Sequence, residues 1–153
     1  MKYNLHVVLI EPQIPYNTGN IGRLCVATNS KLHLVGKLGF SLNDKYLKRA
    51  GLDYWSLLDY AVYKNWNDFL EKNNGARFIF VESPAFKLYT EVEYKEGDYL
   101  IFGSEDQGIP QYIIEKYWEH SVTIPMFGPV RSLNLSNSVA IVLYEALRQI
   151  KKF

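Results

Sequence analysis

The chain has 153 residues, the length of one ordinary domain, and a chain of this size buries roughly 68–70% of its unfolded surface, enough for its own core. Apolar residues make up 48% and charged residues 22%, the profile of a globular protein that dissolves in water. Seventeen Lys and Arg against sixteen Asp and Glu give a net charge of +1, which argues neither for nor against a polyanionic partner.

The longest apolar runs, such as Val139 to Leu143, fall far short of the about 20 residues a bilayer requires. Lys2 is followed by no apolar stretch with a small-residue cleavage site, so no secretory signal is read. The one cysteine, Cys25, excludes an internal disulfide and a multi-cysteine metal site. A reduced, cytoplasmic protein is expected. The charge is unevenly spread: residues 61–120 hold six cations and eleven acids, whereas residues 121–153 hold four cations and one acid. Basic ends around an acidic middle allow one face to meet a polyanion, although a mixed solvated surface has the same composition.

Leu5 to Ile10 is a short, β-branched apolar run that reads as a buried strand. A polar loop follows from Pro12 to Gly19. Asn20 to Asn29 reads as a helix, with Ile21, Leu24, Cys25 and Thr28 on one face. Lys31 to Val35 is a second strand closed by Gly36, and Asp44 to Arg49 a short basic helical turn ended by Gly51. Ala61 to Tyr63 is a third short strand, and Trp66 to Lys72 a helix capped by Asn65 or Asn67. Arg77 to Val81 and Tyr99 to Phe102 are further buried strands, the latter ending at Gly103. Pro110 suits the first turn of a helix reaching Tyr117. Ser121 to Pro125 is the last strand, and Asn134 to Lys151 a long helix with a broad apolar face. Strands alternating with helices predict an α/β fold with a mostly parallel sheet. Its ligands are then expected at the strands' carboxyl ends, in the loops after Ile10, Val81, Phe102 and Ile124.

Several chemistries lack their residues. No G-x-G-x-x-G follows a strand, and there is no P-loop and no G-x-S-x-G elbow. His6, His33 and His120 are scattered, and the two that fall in strands are read as structural rather than as ligands. Cys25 lies on an apolar helix face and is read as a packed thiol. No metal is expected.

Three segments carry signal. In Asn17-Thr-Gly-Asn-Ile-Gly-Arg23 a strand end, a polar loop and a helix start gather backbone N–H groups, either to bind an anion within reach of Arg23 or simply as a cap with a surface arginine. In Ile101 to Pro110, Gly103 either lets a ligand lie against the backbone or belongs to a plain strand-to-helix turn. Ile124 to Ser138 sets hydrogen-bonding side chains between a buried strand and a buried helix, and such groups need partners. Capping occupies one or two of them and leaves Arg131, Ser132 and Asn134 together unexplained.

Four ordered motifs run through the chain: E-P-x-I-P-x-N-T-G-N-I-x-R-L-C (Glu11 to Cys25), R-A-G-L-D-Y (Arg49 to Tyr54), Y-L-x-F-G-x-E-x-x-G-x-P (Tyr99 to Pro110) and I-P-M…R-S-x-N-L-S-N (Ile124 to Asn137). On these the sequence resembles the SPOUT superfamily of RNA methyltransferases (SpoU/TrmH-type), and within it the minimal TrmL-type tRNA 2′-O-methyltransferases, over nearly the whole chain. The resemblance implies one SPOUT domain over residues 1–153 without an appended RNA-binding domain, and an α/β fold ending in a deep trefoil knot. It implies an S-adenosyl-L-methionine pocket at Val81, Gly103, Ile124, Ser132 and Leu133, and methyl transfer to the ribose 2′-hydroxyl of the wobble cytidine or uridine. Arg23, Ser132 and Asn134 match catalytic or orienting positions, and Asn17, Arg23, Arg131 and Tyr144 positions associated with RNA. Glu105 matches the acid of the second motif, with a bracing role or a catalytic one. The implied partners are a tRNA anticodon stem-loop and a second copy of the chain, the broad apolar face of the last helix being compatible with a subunit interface. Ser83 to Tyr94 and Phe127 to Val130 match no motif strongly.

Overall fold

The computed structural model of the protein describes residues 2–153. Seven strands form one sheet: β1 (Leu5–Ile10), β2 (Ser30–Val35), β3 (Tyr60–Tyr63), β4 (Phe78–Val81), β5 (Lys87–Leu88), β6 (Tyr99–Phe102) and β7 (Ser121–Thr123). Their spatial order is β3-β2-β1-β6-β4-β7-β5, and every pairing is parallel. The helices are α1 (Pro15–Ala27), α2 (Lys45–Gly51), α3 (Trp66–Lys72), α4 (Gln111–Lys116) and α5 (Leu135–Lys151), with short 3-10 turns at Leu52–Leu57, Tyr89–Glu91 and Trp118–His120.

A parallel sheet covered on both faces needs strands that are apolar throughout, and β1 shows why. Leu5, Val7 and Leu9 enter one core, with Ile21 and Cys25 of α1 and Val139, Val142, Leu143, Ala146 and Leu147 of α5. Val8 and Ile10 enter the opposite core, with Trp66 and Phe69 of α3 and Ile113 and Ile114 of α4. The broad apolar face of α5 is therefore filled by the chain's own core. Of the two readings open for this face, subunit interface or core of its own chain, the structure shows the core.

Three further differences have local causes. The first helix begins at Pro15, not Asn20, because the proline's fixed φ and missing N–H suit the first helical position. The loop expected at residues 12–19 therefore shrinks. The strand β5 escapes sequence patterning because two residues carry no period. Cys25 is fully buried, and burial pushes its thiol pKa up, so the packed-thiol reading holds.

The two strand histidines are structural. His6 Nδ1 lies 2.9 Å from His33 Nε2, and His33 Nδ1 lies 2.7 Å from the Tyr63 hydroxyl. Tyr99 stacks on His6 with centroids 4.1 Å apart. Burial lowers the His6 pKa to about 4 and that of His33 to about 3, with each ring's charged form further opposed by Lys31. Among the described residues no cluster of three or more His, Cys, Asp or Glu could hold a metal ion, and no helix is long and apolar enough to cross a membrane.

Candidate active site

The carboxyl ends of β1, β6, β4 and β7 lie side by side in the sheet, and a cavity of ≈ 670 Å³ opens above them. Its wall follows the strand ends: Val81 and Glu82 after β4, Phe102 to Gly108 after β6, Thr123, Ile124 and Met126 after β7. The segment Arg131 to Leu135 and Ser138 of α5 close it, and Ile14 and Asn17 of α1 complete the rim. The loops expected to gather a ligand converge here.

Carboxylates brace this wall. Glu105 accepts hydrogen bonds from the backbone N–H of Gln13 (2.8 Å) and of Ile14 (3.0 Å), and from the Asn17 side-chain amide (3.2 Å). It thereby satisfies donors at the entrance to α1, where the helix leaves N–H groups without intrahelical partners. The backbone N–H groups that hold this carboxylate belong to Gln13 and Ile14, ahead of the Asn17 to Arg23 segment, which contributes only the Asn17 side chain. Asn17 is 5% exposed and carries the connection onward, its Oδ1 accepting from Asn134 Nδ2 at 3.1 Å.

Asn134 is the N-cap of α5, and its Oδ1 accepts from the N–H groups of Ser136 (2.9 Å) and Asn137 (3.3 Å). Capping therefore accounts for the Asn134 side chain, leaving Arg131 and Ser132 exposed at the cavity wall. Glu105, Asn17 and Asn134 thus form one polar chain tying the loop after β6 to the starts of both long helices.

Glu82 performs the corresponding task on the other side. Its carboxylate accepts from Ile109 N–H at 2.7 Å and from Ser83 N–H at 3.0 Å. Sequence reasoning missed it, yet its position carried a signal: like Glu11, it stands directly after a buried apolar strand. For Gly103 the structure supplies the turn reading with a cause, and the residue lies at the cavity wall as well. A Cβ there would stand 2.0 Å from the Gly108 carbonyl carbon and 2.1 Å from Ile109 N, so the 103–109 turn closes on itself only with glycine. Ser104 and Gly108 exchange backbone hydrogen bonds across that turn.

Val81, Gly103, Ile124, Ser132 and Leu133 all line the cavity, as do Asn17, Arg131 and Asn134. Arg23 and Tyr144 do not. Arg23 lies on the exposed stripe of α1 with its guanidinium 5.5 Å from the Tyr54 ring centroid, and Tyr144 is 43% exposed on α5. The wall contains Glu82, Glu105 and Asp106 against one cation, Arg131.

The SpoU rRNA Methylase family model matches residues 4–144. The chain belongs to this family. A tRNA (cytidine(34)-2′-O)-methyltransferase of Methylovorus glucosotrophus is 46% identical over 144 residues, covering 94% of each chain. A solved structure described as "Structural insights into the 2-OH methylation of C/U34 on tRNA" superposes with a TM-score of 0.94 at 42% identity, covering 97% of each chain. An AdoMet-bound rRNA methyltransferase of Sinorhizobium meliloti superposes with a TM-score of 0.85 at 25% identity, over 97% of this chain and 57% of that one. Fold and family thus agree with the mostly parallel α/β architecture and the motifs read from the sequence.

Proposed function

We propose that the protein transfers a methyl group from S-adenosyl-L-methionine to the 2′-hydroxyl of the wobble cytidine or uridine of tRNA, working in the cytoplasm as a homodimer. The observation that carries this reading is the cavity at the strand ends of a chain whose near full-length relatives are named for that reaction.

The cavity suits the methyl donor. Its volume falls within the range of about 300–1,000 Å³ usual for small-molecule sites. Val81, Ile124 and Leu133 offer apolar contact, the main chain at Gly103 offers hydrogen bonds, and the surplus of carboxylates complements a ligand bearing sulfonium and ammonium charge. When bound there, the donor supplies a methyl group activated by its positive sulfur. The protein's share is to hold a ribose hydroxyl in line with that methyl and to stabilise the oxygen as it loses its proton. Ser132, exposed at the wall, is assigned to hydrogen-bonding the ribose, and Asn134 to positioning, since its side chain is occupied in capping α5.

Arg23 stands outside the cavity of its own chain, so it is assigned to RNA laid over α1. There its permanently charged guanidinium holds a phosphate of the RNA rather than taking a proton. Arg131 and Tyr144 are assigned to RNA contact at the mouth and on α5. The dimer reading rests on the resemblance, since the broad apolar face of α5 is filled by the chain's own core. We further propose that the segment from β7 into α5 threads the neighbouring loops as the trefoil knot of the resemblance; its support is that residues 131–138 share one wall with the loops after β4 and β6.

The test is transfer of labelled methyl to tRNA lacking wobble-ribose modification, followed by nucleoside mapping and sedimentation of the protein. Label in 2′-O-methylcytidine or 2′-O-methyluridine at the wobble position, by a sedimenting dimer, is expected. Label elsewhere in RNA would keep the chemistry and overturn the target.

A further inference from the structure

We infer that α2 and the 3-10 turn after it form a second RNA-contact surface outside the cavity, which grips the phosphodiester backbone flanking the target nucleotide. Lys45, Lys48 and Arg49 project from α2 into solvent, and Arg23 joins them from α1, against which α2 packs. None of the four makes an ion pair among the described residues. Three of the four, Lys45, Arg49 and Arg23, lie against exposed aromatic rings instead. Lys45 Nζ is 5.1 Å and the Arg49 guanidinium 6.0 Å from the Tyr46 ring centroid, and Arg23 covers Tyr54. Tyr46 is 46% and Tyr54 44% exposed, so each ring keeps surface free for a further contact.

The nearby acids, Asp44 and Asp53, are outnumbered by these cations and pair with none of them among the described residues. Asp44 is occupied in capping α2, accepting from Tyr46 N–H at 2.7 Å, which leaves Asp53 as the exposed acid of the 3-10 turn. Cations interleaved with tyrosines, without carboxylate partners, complement a chain of phosphates with exposed bases, because phosphates displace counterions and bases stack. The remainder of the protein needs such a surface, for the net charge is only +1 and the cavity wall is acid-rich.

Its position fits one bound RNA. Asn17 lies at the cavity rim, and Arg23 follows six residues along α1, roughly 9 Å further at 1.5 Å per residue. A nucleotide reaching the cavity mouth therefore leaves its neighbours running over α1 towards α2. This inference rests on the methyltransferase reading for the identity of the RNA.

The experiment compares the wild type with Lys45→Ala/Lys48→Ala/Arg49→Ala. Binding of an unmodified 17-nucleotide anticodon hairpin is measured from 50 to 300 mM salt, with S-adenosylmethionine affinity, thermal melting and sedimentation measured beside it. The triple variant should bind the hairpin at least about tenfold more weakly at 150 mM salt and flatten the slope of log Kd against log salt by about 2, with melting and cofactor affinity kept. Tyr46→Leu should weaken binding severalfold without changing the slope. An unchanged slope and affinity in the triple variant, with a wild type that methylates the hairpin, would overturn the surface and leave the enzyme standing. A variant that turns monomeric at unchanged slope would give the face to a second copy of the chain and likewise overturn it. A wild type whose salt-dependent hairpin binding is lost in the variant, but which puts no methyl at the wobble ribose, would support the surface and overturn the proposed target.

Discussion

The two faces of the sheet hold different chemistry. On the face covered by α1 and α5 the core is chiefly aliphatic, built on Leu5, Val7, Leu9, Leu32, Leu34 and Leu100, and the Glu105–Asn17–Asn134 chain joins the helix starts that border the cavity. On the face covered by α3 and α4 the core is aromatic. Phe69 meets Trp66, Phe78, Tyr63, Tyr99 and His33, and Phe80 stacks on Tyr117 at 4.8 Å. That face also holds the His6–His33–Tyr63 chain, which runs from β1 across β2 to β3 at the edge of the sheet away from β4 and β7. The acid sensitivity of stability therefore belongs to the aromatic face, and ligand binding to the ends of the aliphatic one. Substitutions should separate the two properties accordingly.

The largest effect should come from Gly103→Ala, at the carboxyl end of β6. The new methyl would overlap the backbone of Gly108 and Ile109, and backbone cannot swing aside as a side-chain tip can. A loss of about 4 kcal/mol or more is expected, with cofactor binding abolished, checked by urea unfolding and calorimetric titration. Phe69→Ala comes next, at about 3–4 kcal/mol, because it empties a fully buried site in the aromatic core. Unlike Gly103→Ala, it should leave cofactor affinity nearly unchanged at low temperature, where the fold persists. Equal loss of cofactor affinity in both would abolish the contrast between the faces.

Acid should act on the aromatic face. His6 and His33 have folded pKa values below the unfolded value near 6.5, so the unfolded chain takes up protons that the folded one refuses. Stability is complete above about pH 6.5 and falls as the pH drops towards 4. At pH 5 the buried His33 alone accounts for about 2 kcal/mol, at 1.36 kcal/mol per unit over about 1.5 units. Urea midpoints at pH 7 and pH 5 measure this. His33→Gln should start less stable and lose less on acidification; an equal loss in wild type and variant would place the acid sensitivity elsewhere.

The contrast between the faces also explains which features were legible. Buried parallel strands are continuous apolar runs, so β1, β2, β4 and β6 stand out in the sequence, as does α5 through its period. The start of α1 does not, because Asn17-Thr-Gly-Asn has poor helix propensity and is held helical by Glu105, 88 residues further on. The cavity loops were found because ligands collect at strand ends. What held them was not: Gly103 is required by the chain's own turn, and Glu82 acts through a backbone N–H of another loop. Contacts of that kind depend on the fold's closure and have no local pattern. Arg23 was placed by its proximity in sequence to Asn17, but six residues of helix rotate it onto the solvent stripe.

Glu105→Gln is the mildest change and the one that sharpens the comparison most. Three donors converge on the two carboxylate oxygens: two backbone N–H groups before α1 and the Asn17 amide. Glutamine keeps one oxygen and turns an N–H towards at least one of those donors, so a hydrogen bond is lost and a donor is left facing a donor. The expected cost is about 1–2 kcal/mol, reduced by the partial exposure of the group to water. Because Glu105 reaches Asn134 through Asn17, the same change should loosen the start of α5 and the segment from Arg131 to Leu133 that it anchors. Cofactor affinity should fall about tenfold although the side chain is replaced by its nearest isostere. Asn17→Ala should produce a comparable fall, and the double variant should lose little more, since both cut the same chain. Additive losses would mean that Glu105 and Asn17 hold the site separately, and the polar connection across the aliphatic face would then carry no coupling.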